Sequence, residues 1–292
     1  MKLTSNTWAT FGIIARLLAA ILLAVWAWAQ WAQGGEPDAE EENAPVHFVA
    51  YGGCEGANAA HRALVAQMVK LKPELVIHTG GMLGGSRQAR DWKAFDEVTK
   101  PLRDLCPFYP CRNSMEGRLH LSGIEFPEAV GKSQPYYSFD HKGLHFISLD
   151  SSQAPRRDDP QMKWLASDLA SAEGKMAFVF FLDPMQTVTG RPARFAPHNP
   201  WHDLFVRYKV RAVLSGGHHI YYRTVQDGVP YLLTGGGGAP LDEIMARHDL
   251  LPSDVAGSFH HFIEFTVKGK EIRGRVVDTE GKTRDEFTLT PP

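Results

Sequence analysis

Short apolar runs and helical periodicities alternate along the first part of the chain. Two apolar runs, 46–51 and 74–78, are each followed by glycines, a pattern typical of buried strands that end in turns. Apolar residues recur at helical spacing over 58–71 and again over 92–105. This order of strands and helices predicts an α/β sheet whose functional loops lie at the carboxyl ends of its strands.

The second part of the chain begins in the same way and then becomes rich in strands. A helical pattern at 162–169 lies between apolar runs that predict strands at 144–149, 177–182 and 210–214. The remaining segments predict an all-β ending, with strands at 220–225, 231–234, 262–267, 272–277 and 287–290. We expect two sheets, each covered by helices on one side.

The N-terminal segment differs from the rest of the chain. Residues 17–29 are uninterrupted by charge, and Lys2 and Arg16 are the charged residues before them. Residues 1–32 are therefore predicted to be either a signal peptide, with 27–29 as the cleavage site, or a single membrane anchor that spans the bilayer through 11–32. Both alternatives export the rest of the chain to the periplasm or another extracytoplasmic face.

An acidic linker is predicted between this segment and the folded domain. The stretch 36–42 contains five acidic residues and a proline, and it lacks the apolar surface that a core requires. We therefore divide the chain into a signal or anchor at 1–32, a solvated linker at 33–45 and one folded domain at 46–292.

Composition narrows the possible functions. Lysine and arginine together number 31 against 33 aspartates and glutamates, and the formal net charge is −2. The chain lacks the basic excess typical of nucleic-acid binding, so we expect no nucleic-acid partner. Three cysteines in 292 residues do not make a disulfide scaffold.

Six short strings carry a resemblance to a known family. They occur in the order 51–53 (YGG), 78–81 (HTGG), 109–116 (YPCRNSME), 182–184 (LDP), 215–223 (SGGHHIYYR) and 234–240 (TGGGGAP). The chain thereby resembles the calcineurin-like metallophosphoesterases, close to their purple-acid-phosphatase-like branch, over roughly 46–290. The resemblance implies an α/β fold, a four-layer α-β-β-α sandwich of two mixed sheets preceded here by the apolar signal or anchor helix. It also implies hydrolysis of phosphate esters by two metal ions.

The metal-ligand positions of the family's first sheet are substituted in this chain. Where the resemblance implies an aspartate and then a histidine, the chain has Gly53 and Glu55, and the bridging aspartate falls on Gly81. The family's Gly-Asn-His-Glu string falls on 113–116, so that Ser114 replaces the ligand asparagine and Met115 replaces the catalytic histidine.

The positions of the second sheet are substituted in the same way. Leu182, followed by Asp183, replaces the histidine of His-x-Pro. In the family's Gly-His-x-His string, Gly217 replaces the first imidazole, His218 takes the variable position, and His219 alone keeps the family residue. Glycine and leucine offer no metal donor atom, so the resemblance implies a vestigial pocket without a catalytic residue or a bound metal.

The predicted function is that of a pseudoenzyme. We expect an exported, membrane-tethered domain that serves as a structural or accessory subunit, or as an interaction module, with protein partners in a membrane-associated complex. One alternative is a phosphatase or phosphodiesterase with a rearranged site for zinc, iron or manganese, built from Cys, His and carboxylate side chains near His219. The other is a metal-free anion-binding module that uses loop arginines, at 112, 156, 157, 191 and 194.

The cysteines yield one further hypothesis. The family topology brings the loops of Cys54 and Cys111 together, and an oxidising compartment permits a disulfide. We expect a Cys54–Cys111 bond across the vestigial pocket, with three reduced cysteines as the alternative.

Overall fold

Two β-sheets and four helices make up the part of the chain that the structure describes. The computed structural model describes residues 44–84, 89–111, 135–152, 154–196, 198–245 and 251–289. The helices are α1 Ala59–Leu71, α2 Ala89–Arg103, α3 Pro160–Ser171 and α4 Pro200–Arg207. The strands are β1 Val46–Tyr51, β2 Leu75–His78, β3 Phe108–Pro110, β4 Tyr137–His141, β5 Leu144–Ser148, β6 Met176–Phe181, β7 Ala212–Ser215, β8 Tyr221–Gln226, β9 Val229–Thr234, β10 Val255–Gly257, β11 His261–Lys268, β12 Glu271–Asp278 and β13 Thr283–Leu289.

The first sheet combines both ends of the domain. Its strand order is β13-β12-β11-β1-β2-β3. The strands β1, β2 and β3 are parallel, while β11, β12 and β13 add to β1 as an antiparallel meander. The carboxyl ends of β1, β2 and β3 therefore lie along one edge of this sheet.

The second sheet has seven strands in the order β10-β8-β9-β7-β6-β5-β4. Its four central strands, β5, β6, β7 and β9, are mutually parallel, and the outer strands pair antiparallel. Both sheets are therefore mixed, as predicted, and each contains adjacent parallel strands that end in loops at one edge.

Aromatic side chains from both sheets form the core between them. The ring of Phe48 in β1 stacks on Phe265 at 4.7 Å and meets the edges of Phe146 and Phe178 of the second sheet at 5.2 and 5.4 Å. All four side chains are fully buried. Edge-to-face and stacked rings pack this densely because their quadrupoles favour these geometries.

Helices cover the outer faces of the two sheets. On the first sheet, the apolar faces of α1 and α2 pack on Val49, Tyr51 and Val76. On the second sheet, α3 and α4 pack on Ile147 and Val179. The layers thus follow the order helix, sheet, sheet, helix.

Polar side chains start three of the helices. Asn58, Asp159 and Asn199 are the N-caps of α1, α3 and α4, and each side chain accepts hydrogen bonds from backbone N–H groups of the first turn. Proline follows the cap in α3 and α4, where the missing N–H costs nothing. The starts of these helices are therefore encoded locally.

Three observed elements were not predicted. Helix α4 has only eight residues, and β10 has three, so neither is long enough to give a clear periodicity. Strand β4 alternates, but with polar and charged residues on its exposed face, and it pairs with β5 through a short hairpin.

The predicted signal or anchor at 1–32 lies outside the described residues, as does most of the linker at 33–45. The structural unit that contains the sheets extends from Pro45 to Pro292. Within the described ranges, the search for a helix with the length and apolarity to cross a bilayer finds none.

Candidate functional site

Loops from the first sheet meet at its carboxyl edge through backbone hydrogen bonds. The N–H of Gly53, after β1, donates to the carbonyl of Gly80, after β2, at 2.8 Å. The N–H of Glu55 donates in the same way to Gly81 at 2.9 Å. These bonds extend the pairing of β1 and β2 into their loops and hold the two glycine pairs side by side.

Loops from the second sheet reach the same place. The N–H groups of Gly216 and Gly217, after β7, both donate to the carbonyl of Leu182, after β6, at 3.0 and 2.7 Å. After β9, the N–H of Ala239 donates to the carbonyl of Gly53 at 2.9 Å and so links the two sheets. We call the meeting place of these loops the strand-end pocket.

Glycine is required at position 53 for two separate reasons. Its φ of 65° lies in the left-handed region, and a Cβ at this position would lie 2.2 Å from the carbonyl oxygen of Gly235 and 3.0 Å from the ring of His219. Gly81 also has a positive φ, 70°, and a Cβ there would lie 3.1 Å from the Cα of Gly53. This backbone path leaves no room for an aspartate at position 53.

His219 is the histidine that faces the pocket. Its Nδ1 lies 2.9 Å from the carbonyl of Pro240, to which it donates because a carbonyl only accepts. Its Nε2 lies 3.7 Å from the carboxylate of Glu55, and its backbone N–H donates to Asp242 at 2.8 Å. Glu55 and His219 therefore lie close together in the pocket.

His218 is engaged in a separate hydrogen-bond network. Its Nδ1 lies 2.7 Å from the hydroxyl of Thr187 and 2.8 Å from that of Thr189. Burial, together with the neighbouring Arg191, lowers the pKa of His218 to about 4. The ring is thus neutral at neutral pH and is held by hydroxyl groups.

Asp183 is also bound by its neighbours. The carboxylate of Asp183 accepts a hydrogen bond from the hydroxyl of Ser151 at 2.9 Å. The backbone N–H of Asp183 donates to the oxygen of that Ser151 hydroxyl at 3.0 Å. Arg194 lies 3.8 Å from the carboxylate, and burial raises the pKa of Asp183. The carboxylate of Asp183 therefore interacts with Ser151 and Arg194.

Of the four candidate arginines that the structure describes, two reach the rim of the pocket. Arg191 donates to the carbonyl of Gly217 and lies 3.3 Å from the carboxylate of Asp242. Arg194 donates to the carbonyl of Ser152 in addition to its contact with Asp183. Both guanidinium groups are engaged with protein oxygens.

Cys54 belongs to a buried network beneath the pocket. The N–H of Gly80 donates to Nδ1 of His78 at 3.1 Å, so the other ring nitrogen, Nε2, carries the proton and faces the sulfur of Cys54 at 3.5 Å. The thiol in turn donates to the carbonyl of Gly81 at 3.4 Å. Burial lowers the pKa of His78 well below its usual value, which keeps this ring neutral.

The geometry argues against the predicted Cys54–Cys111 disulfide. Both residues are buried thiols in the structure. Cys54 belongs to the core under α1 and α2, whereas Cys111 belongs to the core between the sheets. Because β2 lies between β1 and β3, the two loops start about 9.6 Å apart, farther than a disulfide reaches.

Two pocket positions have no described structure. Ser114 and Met115, together with residues 112–134 around them, lie outside the described residues. The other predicted pocket positions lie on the loops that converge at the strand-end pocket or directly beside it. They are Gly53, Glu55, Gly81, Leu182, Asp183, Gly217, His218 and His219.

The described side chains do not fit a pair of metal ions in this pocket. Gly53, Gly81 and Gly217 have no side-chain donor, and Leu182 offers only carbon. Among the described residues, one group of three potential ligands lies within reach of a single ion, and it is elsewhere, at His198, His202 and Asp227. This group was not predicted, although the four-residue spacing of the two histidines is visible in the sequence.

Comparisons with known proteins identify the fold. No protein-family model matches the chain. Purple acid phosphatase 23 of Arabidopsis thaliana is 23% identical over an aligned length of 182 residues, and the match covers 52% of this chain and 38% of the phosphatase. The purple acid phosphatase PPD1 from yellow lupin (Lupinus luteus) seeds matches 85% of this chain with a TM-score of 0.74 and 15% identity. This chain therefore spans about two fifths of the first phosphatase and 54% of the second.

Two other solved structures share the architecture. GAP50, the anchor in the inner membrane complex of Plasmodium, matches with a TM-score of 0.62 and 12% identity over 85% of this chain and 89% of its own. PhoD matches with a TM-score of 0.56 and 11% identity over 84% of this chain and 68% of its own. Together these likenesses show that the chain has the calcineurin-like metallophosphoesterase fold.

Proposed function

We propose that this protein is a non-catalytic member of the calcineurin-like fold, exported and tethered to a membrane through 11–32, where it serves as an accessory or interaction subunit of a membrane-associated complex. The observation that carries the proposal is the strand-end pocket itself. The loops meet there as the fold requires, yet the positions that face one another are glycines and a leucine. Hydrolysis by a metal pair requires carboxylates and imidazoles at such positions.

The crowding at Gly53 supports the proposal independently of any alignment. A side chain at this position would collide with the carbonyl of Gly235, which belongs to the loop after β9. The loops therefore fill the space from which a carboxylate would have to reach a metal. Because fold alone does not determine function, this local chemistry counts more than the architecture.

The observed contacts disfavour a rearranged metal site in the pocket. His218 is bound by two threonine hydroxyls, and Asp183 by Ser151 and Arg194. The remaining pair, His219 and Glu55, provides two donors, one fewer than catalytic zinc sites use.

The contacts also disfavour an anion-binding module. Arg191 lies beside Asp242 and Arg194 beside Asp183, so each cation already has a carboxylate neighbour. Arg157 pairs with Asp203 at 2.7 Å. An incoming anion would have to displace these carboxylates or bind against their charge.

A membrane role is supported by a structural relative and by the sequence. GAP50, a membrane-complex anchor by its description, shares this architecture over 89% of its length. The apolar segment 11–32 of the present chain is long enough to cross a bilayer. We infer that the folded domain lies on the periplasmic or extracytoplasmic side and binds protein partners there.

A phosphatase assay tests the loss of catalysis. Purified full-length chain is incubated with an aryl phosphate ester in the presence of Mn²⁺, Fe²⁺ or Zn²⁺, and His219→Ala and His141→Ala are measured in parallel. We expect all three proteins to be indistinguishable from the protein-free blank, because the pocket lacks the ligands for a metal pair. His141 is the matched control, since it lies at the end of β4 and contacts Glu74.

Metal-dependent hydrolysis that survives His141→Ala and disappears in His219→Ala would show that the pocket is catalytic.

Tethering is tested separately on native membranes. We expect the full-length chain to stay in the membrane pellet after a high-salt wash and to co-purify with cross-linked partner proteins. Recovery of a shortened chain in the soluble extracytoplasmic fraction would show a cleaved signal peptide instead.

A further inference from the structure

A group of metal-ligating side chains lies at the outer side of the second sheet. His198 precedes the N-cap of α4, His202 lies in the first turn of that helix, and Asp227 lies in the turn between β8 and β9. The Nε2 of His202 is 2.8 Å from Oδ2 of Asp227, and the Nδ1 of His198 is 3.8 Å from the same oxygen. The three donor atoms all lie within 4.8 Å of one another.

These distances suit one tetrahedral ion. Zinc binds histidine nitrogen and carboxylate oxygen at about 2.0 to 2.2 Å, which places neighbouring ligand atoms about 3.3 Å apart. The two observed separations, 2.8 and 3.8 Å, lie on either side of that value. The side chain of His198 is 76% exposed and can therefore turn towards the ion without displacing the core.

The ring of His202 is already oriented as a ligand. Its side chain is 3% exposed, and its Nδ1 lies 2.6 Å from the hydroxyl of Tyr231, itself a buried residue of β9. A hydrogen bond at the second ring nitrogen is what fixes the orientation and tautomer of metal-bound histidines. Because a carboxylate only accepts, Nε2–H of His202 donates to Asp227 in this structure, and Nδ1 accepts from the Tyr231 hydroxyl. A metal ion would take the place of the Nε2 proton, and Nδ1–H would then donate to the Tyr231 oxygen.

This group is separate from the strand-end pocket. Strand β8 begins at Tyr221, two residues after His219, and runs six residues to Gln226 before the turn at Asp227. An extended strand of this length covers about 20 Å. A ligand at Asp227 and a ligand at His219 therefore bind at opposite ends of the strand.

We propose that His198, His202 and Asp227 bind one divalent transition-metal ion of the zinc class, with a fourth position open to water. Two imidazoles and one carboxylate favour zinc over magnesium, which prefers an octahedral shell of oxygens. The ion would join the segment before α4 to the β8–β9 turn, where Gln226 and Asp227 already contact both histidines.

Zinc titration of the full-length chain tests this site. The protein is first dialysed against a chelator and then titrated with Zn²⁺ and, separately, with Mg²⁺, by calorimetry and by metal analysis. We expect one Zn²⁺ per chain and no Mg²⁺ binding. His198→Ala and Asp227→Asn should each weaken zinc binding at least about tenfold, because each removes a direct ligand.

The variants are chosen so that folding is retained. His198 is exposed, and Asn tolerates the left-handed φ of 50° found at Asp227. His141→Ala, which removes a histidine that contacts Glu74, is the matched control and should bind zinc as the unaltered chain does. No zinc binding by the unaltered chain, or equal binding by all three variants, would overturn the proposal. The phosphatase assay reads the pocket at His219, so the two proposals fail independently.

Discussion

Thr79 shows how closely single residues of the two sheets approach each other. A Cβ on Gly52 would lie 2.2 Å from Oγ1 of Thr79, and a Cβ on Gly216 would lie 2.3 Å from the same Thr79 atom. Gly52 follows β1 of the first sheet, and Gly216 follows β7 of the second. These glycines are required by the contact between sheets, so their role here is structural and does not depend on catalysis.

The alanine variant of Gly216 should therefore be destabilised. Besides Thr79 Oγ1, the new methyl group would meet the carbonyl oxygen of Thr79 at 2.8 Å, and backbone cannot rotate away. We expect a loss of about 1 to 3 kcal/mol in the free energy of unfolding, measured by denaturant titration. Gly190→Ala is the control, since its Cβ would lie 3.7 Å from Met245 in ordinary contact and should change stability by less than about 0.5 kcal/mol. Equal stability of the two variants would contradict the crowding argument.

At the scale of elements, the residues next to each helix start determine where the helix begins. Asp159 accepts a hydrogen bond from the N–H of Met162 at 2.6 Å, and Pro160 follows it as the first residue of α3. Helix α3 supplies Met162, Leu165 and Leu169 to the core on the second sheet. The cap therefore sets where an apolar face begins to pack.

Removal of this cap should have a measurable cost. Asp159→Ala leaves the first turn of α3 without its acceptor, and we expect the free energy of unfolding to fall by about 1 kcal/mol. Asp158→Ala changes the charge equally but removes no cap, and its side chain is exposed. If thermal or denaturant unfolding shows the same loss for both variants, the effect is one of charge and the cap contributes nothing.

Strand prediction succeeded where burial is regular. Strands β1, β2, β5, β6 and β9 are almost fully buried apolar runs, and their positions followed from the sequence within about two residues. Strand β4 was missed because only one of its five residues is buried. Short or half-exposed elements depend on pairing partners, and these are distant in sequence.

At the scale of the whole molecule, burial of histidines links the fold to pH. Burial lowers the pKa of His61 and of His261 to about 4, and lowers that of His78 still more clearly. All three side chains are fully buried. In the unfolded chain these groups titrate near pH 6.5, so the unfolded state binds protons first as the pH falls.

Stability should therefore fall between pH 6.5 and pH 4. A histidine whose folded pKa is lowered contributes stability that is present above the unfolded pKa and is lost on acidification. Each of these groups lowers the free energy of unfolding by at most about 1.4 kcal/mol per pH unit. We expect a shallower pH slope for His261→Gln than for the unaltered chain, measured by denaturant titration. Equal slopes for the two proteins would contradict the assignment.

The amino-acid sequence alone predicted the order of most strands and helices and the glycines that end the strands. It also determined which donor atoms are absent, because Gly53, Gly81, Leu182 and Gly217 cannot bind a metal through their side chains in any fold. Local periodicity and residue chemistry carry this information without reference to distant parts of the chain.

The three-dimensional fold sets which side chains meet. It placed Glu55 beside His219, assigned Cys54 and Cys111 to different cores, and brought Asp227 to His198 and His202. These pairings depend on strand order and on crossovers between sheets. The period of a helix or strand decides on which face of that element a side chain lies. The residue that it meets on that face comes from a segment tens of residues away, so local sequence does not reveal it.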